Sequence, residues 1–180
     1  MIELLIVIAV LGILAVAVLA AINPIEQINR GRDTGSRSDA EQALSAIDRF
    51  YASQGYYPWQ TGATDTDNED LAWTAIGSVA DTAATPVTML SKLSTGGTAE
   101  IKTSYVERIT DPAYNTLYVY NQGTQGDSTY VCFLPKSGSF AEEAATRCVD
   151  EDGSGLPDDI DVTTKGIICG DADDKYICLP

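Results

Sequence analysis

The chain opens on an unbroken apolar run. Residues 4–22 read LLIVIAVLGILAVAVLAAI, nineteen positions without a charge or a hydrogen-bonding side chain. At ~1.5 Å rise per residue a helix of that length covers roughly 28 Å, about one bilayer hydrocarbon core. A helix apolar on every face does not fit inside a small soluble domain, so the run predicts a membrane span or the core of a helical bundle. Cleavable signal peptides begin with positive charge. Here Glu3 comes first and no Lys or Arg precedes Arg30, so the segment is expected to be retained. After Pro24 the pattern changes. Ile25 and Ile28 extend the apolar stripe, while residues 30–37, RGRDTGSR, are polar with two glycines and read as a weak helix or a bend. From Ser38 an amphipathic run follows, with Ala40, Ala43, Leu44, Ile47 and Tyr51 at helical spacing and Asp39, Glu41, Asp48 and Arg49 mostly on other faces. Gly55 and Pro58 end it. A helix over residues 2–53 would be roughly 78 Å long. Only its second half can pack on a head, so its first half must project.

The remaining residues, 55–180, predict a small α+β head: an antiparallel sheet laid against the long helix. Residues 116–120 (TLYVY) and 129–134 (TYVCFL) are β-branched and aromatic, and Gly123, Gly126 and Asp127 between them suit a hairpin loop. Residues 71–76 and 86–93 read as helical turns. Ile101, Tyr105, Val106 and Ile109 fit a helix about as well as a strand, and residues 167–169 and 176–179 read as edge strands. The chain divides into an apolar segment 1–24, an amphipathic continuation 25–54 that packs on the head, and the head itself.

Composition narrows the chemistry. Eleven Lys and Arg face 26 Asp and Glu, for a net charge of −15, and there is no His. Ser/His/Asp and Cys/His catalysis are excluded, and no carboxylate pair occupies an evident apolar cleft that would tune it for glycoside hydrolysis. A membrane-anchored enzyme or binding module is therefore the weakest reading. The charge disfavours nucleic acid along the molecule, and the three Arg of residues 30–37 read as a positive collar beside the apolar span. Glu3 is the odd residue. A carboxylate desolvated without a partner costs several kcal/mol, so it either lies in the headgroup region or meets a countercharge from another chain.

Residues 1–15, MIELLIVIAVLGILA, resemble the N-terminal segment of type IV pilins and of the related type II secretion pseudopilins. The resemblance implies the type IV pilin fold and a structural role: a major pilin that a prepilin peptidase processes and the inner-membrane pilus assembly machinery polymerises. The membrane would hold the chain by a single pass before assembly. The product would be an extracellular helical homopolymer serving adhesion, twitching motility or DNA uptake. A pseudopilin of a secretion system is the alternative. Glu3 matches the glutamate thought to pair with the N-terminal amine of a neighbouring subunit. Gly12 matches a glycine near the stretch where the helix loosens in filaments. The family has two residues, typically Phe-Thr, before the position Met1 fills; either they lie outside this sequence or the mature start is unusual. Gly12 costs about 1 kcal/mol relative to Ala in a helix and Pro24 removes a backbone donor, so residues 13–23 between them can unwind at modest cost.

Cys132, Cys148, Cys169 and Cys178 show no CxxC pair of a zinc site, and an exported head favours disulfides. Cys132–Cys148 and Cys169–Cys178 are the expected pairs because both close short loops. Eleven acids against three bases over residues 142–180 carry more than half of the net charge. Within them Asp150, Asp152, Ser154, Asp158 and Asp161 fall at positions 1, 3, 5, 9 and 12 of an EF-hand-like loop, with a Leu156 carbonyl completing a possible calcium site. No other cofactor is expected. Residues 64–70 (TDTDNED) are a weaker calcium candidate.

Overall fold

A computed structural model describes the chain apart from Met1, Ile22, Asp67, Asn68, Thr98, Gln125, residues 150–152, Ser154 and residues 171–173, and gives only the backbone of Ala20 and Ala21. Two helices begin it: α1, Ile2–Ala21, and α2, Pro24–Gln54. Asn23 caps α2, its side chain accepting from the Glu26 amide at 3.4 Å, and Pro24 takes the first helical position. A proline there lacks only a donor that would have had no partner, and its fixed φ suits the first turn. Pro24 therefore starts a helix. α2 ends where Gly55 adopts φ 78° and donates to the Tyr51 carbonyl at 2.8 Å, a left-handed cap that glycine takes without a Cβ clash.

α2 runs unbroken through Gly31 and Gly35, so the expected weak stretch at 30–37 is regular helix. Its buried face carries Ala40, Ala43, Ala46, Ile47 and Phe50. Tyr51, placed on that face by its spacing, is 46% exposed; its ring stacks on Tyr57 at 4.5 Å outside the core, and Phe50 takes the inward position.

The head is α+β. A four-stranded antiparallel sheet has the order β1 (Leu71–Ala75), β2 (Leu117–Asn121), β3 (Tyr130–Phe133), β4 (Ile177–Leu179). Side chains alternate between its faces. Leu117, Val119, Val131, Phe133 and Ile177 join the core beneath α2, while Tyr120, Tyr130, Cys132 and Cys178 join a second cluster with Ile160, Ile168, Cys148 and Cys169. The sheet is thus covered on both faces. Short helices complete the head: α3 (Met89–Ser94), α4 (Thr103–Thr110), α5 (Gly138–Arg147) and α6 (Val162–Cys169).

Three expectations need correction. Residues 71–75 form β1, with a single 3-10 turn at Ile76–Ser78, because they pair with β2. Residues 167–169 end a helix, since Asp161 caps α6 through its side chain and overrides the β-branched run. The disulfides are Cys132–Cys178 and Cys148–Cys169. Cys132 and Cys178 stand directly opposite on β3 and β4, with Cα atoms 4.0 Å apart. The second bridge joins the C-cap of α5 to the last residue of α6. Ladder register, which loop length does not reveal, decided the pairing.

Candidate functional site

Of the residues singled out for assembly, Glu3 and Gly12 lie on α1, while Pro24 opens α2. Glu3 is exposed in the first turn of α1, where a carboxylate complements the helix dipole. Gly12 follows nine residues, roughly 14 Å, later, with nothing within 4 Å of the position its Cβ would occupy. α1 passes through Gly12 without interruption to Ala21. No part of Ile2–Leu19 is buried, so this helix, long and apolar enough to cross a membrane, has no cover from the described residues of its own chain.

Beyond Asn23 the same chain is fastened to the head by a polar seam. Glu26 accepts from the Ser139 amide at 3.4 Å, and the Asn29 side-chain amide donates to the Lys136 carbonyl at 3.2 Å. Asp33, with 0% of its surface exposed, accepts from the Lys136 amide at 3.0 Å, the Ser137 amide at 2.7 Å and the Ser137 hydroxyl at 2.6 Å. Arg37 reaches Glu143 of α5 at 2.5 Å. Spacings of three and four put all four on one helical stripe. Glu26 and Asp33 also place negative charge at the N-terminus of α5, whose own N-cap Ser137 makes no side-chain cap bond. Two residues beyond Arg37 and off that stripe, Asp39 pairs with Arg108 at 2.5 Å, and the Tyr105 hydroxyl donates to its carbonyl at 2.5 Å. Burial raises the Asp39 carboxyl above its usual range against the pull of Arg108, and burial together with Asp39 raises the Tyr105 hydroxyl.

Sequence reasoning missed this seam: it read the three Arg of residues 30–37 as a positive collar and gave Glu26, Asn29 and Asp33 no role. Its one signal was the three- and four-residue spacing of Glu26, Asn29, Asp33 and Arg37. The seam seats the helix on the head from its first turn.

Of the calcium candidates, Asp150, Asp152 and Ser154 lie outside the described residues. Asp161 is engaged as a helix cap. Its Oδ1 accepts from the Thr163 and Thr164 amides at 2.8 and 3.0 Å, and its Oδ2 from the Thr164 hydroxyl at 2.7 Å. Burial pushes this carboxyl up, but the bonds from Thr164, Tyr120 and Thr163 outweigh it and hold the group at about 2. Leu156 donates its amide to the Gly153 carbonyl at 2.9 Å, and Asp158 is exposed. Asp159, not among the candidates, accepts from the Ser128 amide at 2.9 Å and the Tyr130 hydroxyl at 2.6 Å. The described acids thus lock the loop to the sheet. Among the described residues, no three acidic or cysteine side chains gather into a metal-holding group. In the weaker candidate, Asp65 accepts from the Thr61 amide and hydroxyl, both at 2.8 Å, while Asp67 and Asn68 lie outside the described residues.

No family model, curated protein or solved structure matches this chain.

Proposed function

We propose that this chain is a structural subunit of the type IV pilin kind, held in the membrane by α1 and polymerised into an extracellular filament whose core is made of α1 helices. One observation carries the reading: α1 is apolar all round with none of the described residues of its own chain covering it, while α2, the next segment, is seated in the head over most of its length. Exposed apolar surface of this size marks a membrane or protein–protein contact, and lipid followed by the same helix of sister subunits would supply both. Helices in lipid gain little hydrophobic drive from associating, so packing and lone polar groups set their register. Glu3 is the single charge available on α1 for that purpose, and a neighbour's amine is its proposed partner. Prepilin peptidase and an inner-membrane assembly machine are the partners this reading requires. Adhesion, motility or DNA uptake would belong to the filament.

The deciding experiment is electron microscopy of material sheared from cells that make the protein, with gold-labelled antibody raised against the head. Labelled long filaments are expected, and Glu3→Ala should leave the chain in the membrane fraction while abolishing them. Wild-type chain found only in membranes, with no labelled filament, would overturn the proposal, and short unsheared assemblies in the cell envelope would select the pseudopilin alternative.

A further inference from the structure

The seam between α2 and the head borders a cavity of about 520 Å³ lined by Ile28, Gly31, Gly35, Tyr114, Arg32 and Lys136 among others. Part of its lining is apolar and open to solvent. Ile28 is 58% exposed and Tyr114 53% exposed, and the two glycines leave the α2 backbone uncovered. Five charged side chains line it: Arg32, Asp33, Asp39, Arg108 and Lys136. Asp33 is saturated by the Lys136 amide and Ser137, and Asp39 is paired with Arg108. That leaves Arg32 and Lys136, both exposed, and neither has an ion-pair partner among the described residues. The neutral donors satisfy Asp33 without cancelling its charge, so three cations against two carboxylates leave the lining at +1, on a molecule whose net charge is −15.

Its position gives the occupant. Arg32 lies eight residues, roughly 12 Å, into α2 from Pro24. Helical side chains lean toward the N-terminus, so Arg32 leans back toward the apolar span. Ile25, 68% exposed, and Ile28 stand three residues apart on one face and form an apolar track from the first turn of α2 into the cavity. We infer that the cavity holds the head group of an anionic phospholipid, with the phosphate between Arg32 and Lys136 and an acyl chain lying along Ile28 and Ile25 toward α1. The lipid would be held while the chain waits in the membrane, before polymerisation. The cations supply attraction to an anionic lipid, and the apolar track restricts the ligand to one that carries a chain.

This inference rests on the membrane stage of the reading above, which is tested separately by whether detergent, and not high salt, releases the chain from cell membranes. The lipid site is tested on the full chain in neutral detergent by native mass spectrometry, with equimolar dioleoyl phosphatidylglycerol and dioleoyl phosphatidylcholine. One retained phosphatidylglycerol per chain is expected, with a preference of about 5-fold from the net positive charge of the lining. Arg32→Gln with Lys136→Gln should abolish the preference. Lys102→Gln, which alters an exposed cation elsewhere on the head, should keep it. A double variant that still prefers the anionic lipid overturns the site, as does equal loss in the Lys102→Gln control. Displacement of the lipid by chain-free glycerol phosphate at equal concentration overturns the apolar half of the inference. A chain that needs detergent for extraction yet shows no lipid preference sinks this site and leaves the filament reading standing.

Discussion

At the scale of single residues, the head converts its acids into fasteners. Asp161 caps α6 with both carboxylate oxygens, and its own amide donates to the Tyr120 hydroxyl at 3.0 Å, so one residue ties helix to sheet. Its carboxyl sits at about 2, below the ordinary 3.8, so the folded state binds its proton more weakly than the unfolded chain. The stability it contributes is complete above the unfolded value and is lost as pH falls from about 4 to about 2. Tyr120 works at the other end of the scale. Burial and the neighbouring Asp161 push it up to about 12 from 10, so its contribution holds below pH 10 and is lost as pH rises toward 12. Denaturant melts across pH should show a plateau that declines in both windows. Asp161→Ala should lower stability by about 1–2 kcal/mol, the usual cost of a lost N-cap. Asp161→Asn should retain the cap and flatten the acid decline, and an unchanged acid slope in that variant would show that the charge is not what the fold uses.

At the scale of elements, the seam of α2 should behave as a unit centred on Asp33. Asp33→Ala would leave the Lys136 and Ser137 amides and the Ser137 hydroxyl buried without their acceptor. A loss of about 3 kcal/mol is expected, which for a chain of this size is roughly 10 °C in melting temperature. Calorimetry checks the size, and hydrogen exchange should show residues 24–36 and the start of α5 opening first. What the sequence revealed at this scale follows from the reach of each signal. α1 was legible because its pattern involves no partner. β2 and β3 were legible because Leu117–Asn121 and Tyr130–Phe133 are rich in β-branched and aromatic residues and flank a loop with Gly123, Gly126 and Asp127, signals that are written locally. β1 was not, because LAWTA has no strong period and becomes a strand only by pairing with β2. α6 was misread because only residues 167–169 were weighed, while its cap, Asp161, lies six residues earlier and was read as a calcium ligand. The disulfides failed for the same reason, since opposition of Cys132 and Cys178 is a property of β3 meeting β4. The seam was hidden because a buried Asp and a solvated Asp look alike until residues 136 and 137 are placed beside it.

At the scale of the molecule, the structure separates two jobs that the average composition blends. Everything that holds the head together starts at Asn23 or later: the cap on α2, the seam, the core under α2 and both disulfides. Nothing in Ile2–Leu19 is buried, so that segment contributes no hydrophobic stabilisation to the head. A chain beginning at Asn23 should therefore be soluble, form the same Cys132–Cys178 and Cys148–Cys169 bridges, and melt within about 2 °C of the full chain in detergent, a shift equivalent to less than about 1 kcal/mol. A chain beginning at Thr34 should melt much lower, because it discards Glu26, Asn29 and Asp33 and exposes the groups they satisfied. Peptide mapping under non-reducing conditions reads the bridges, and circular dichroism reads both transitions. If removing residues 1–22 already lowered the melting temperature as far as removing residues 1–33, α1 would have to support the head in a way its exposure denies, and the division between an assembly helix and a self-sufficient head would fail. If only the longer truncation destabilises, α1 is free to change its surroundings from lipid to sister helices without any cost to the fold it carries, which is the property a polymerising subunit needs.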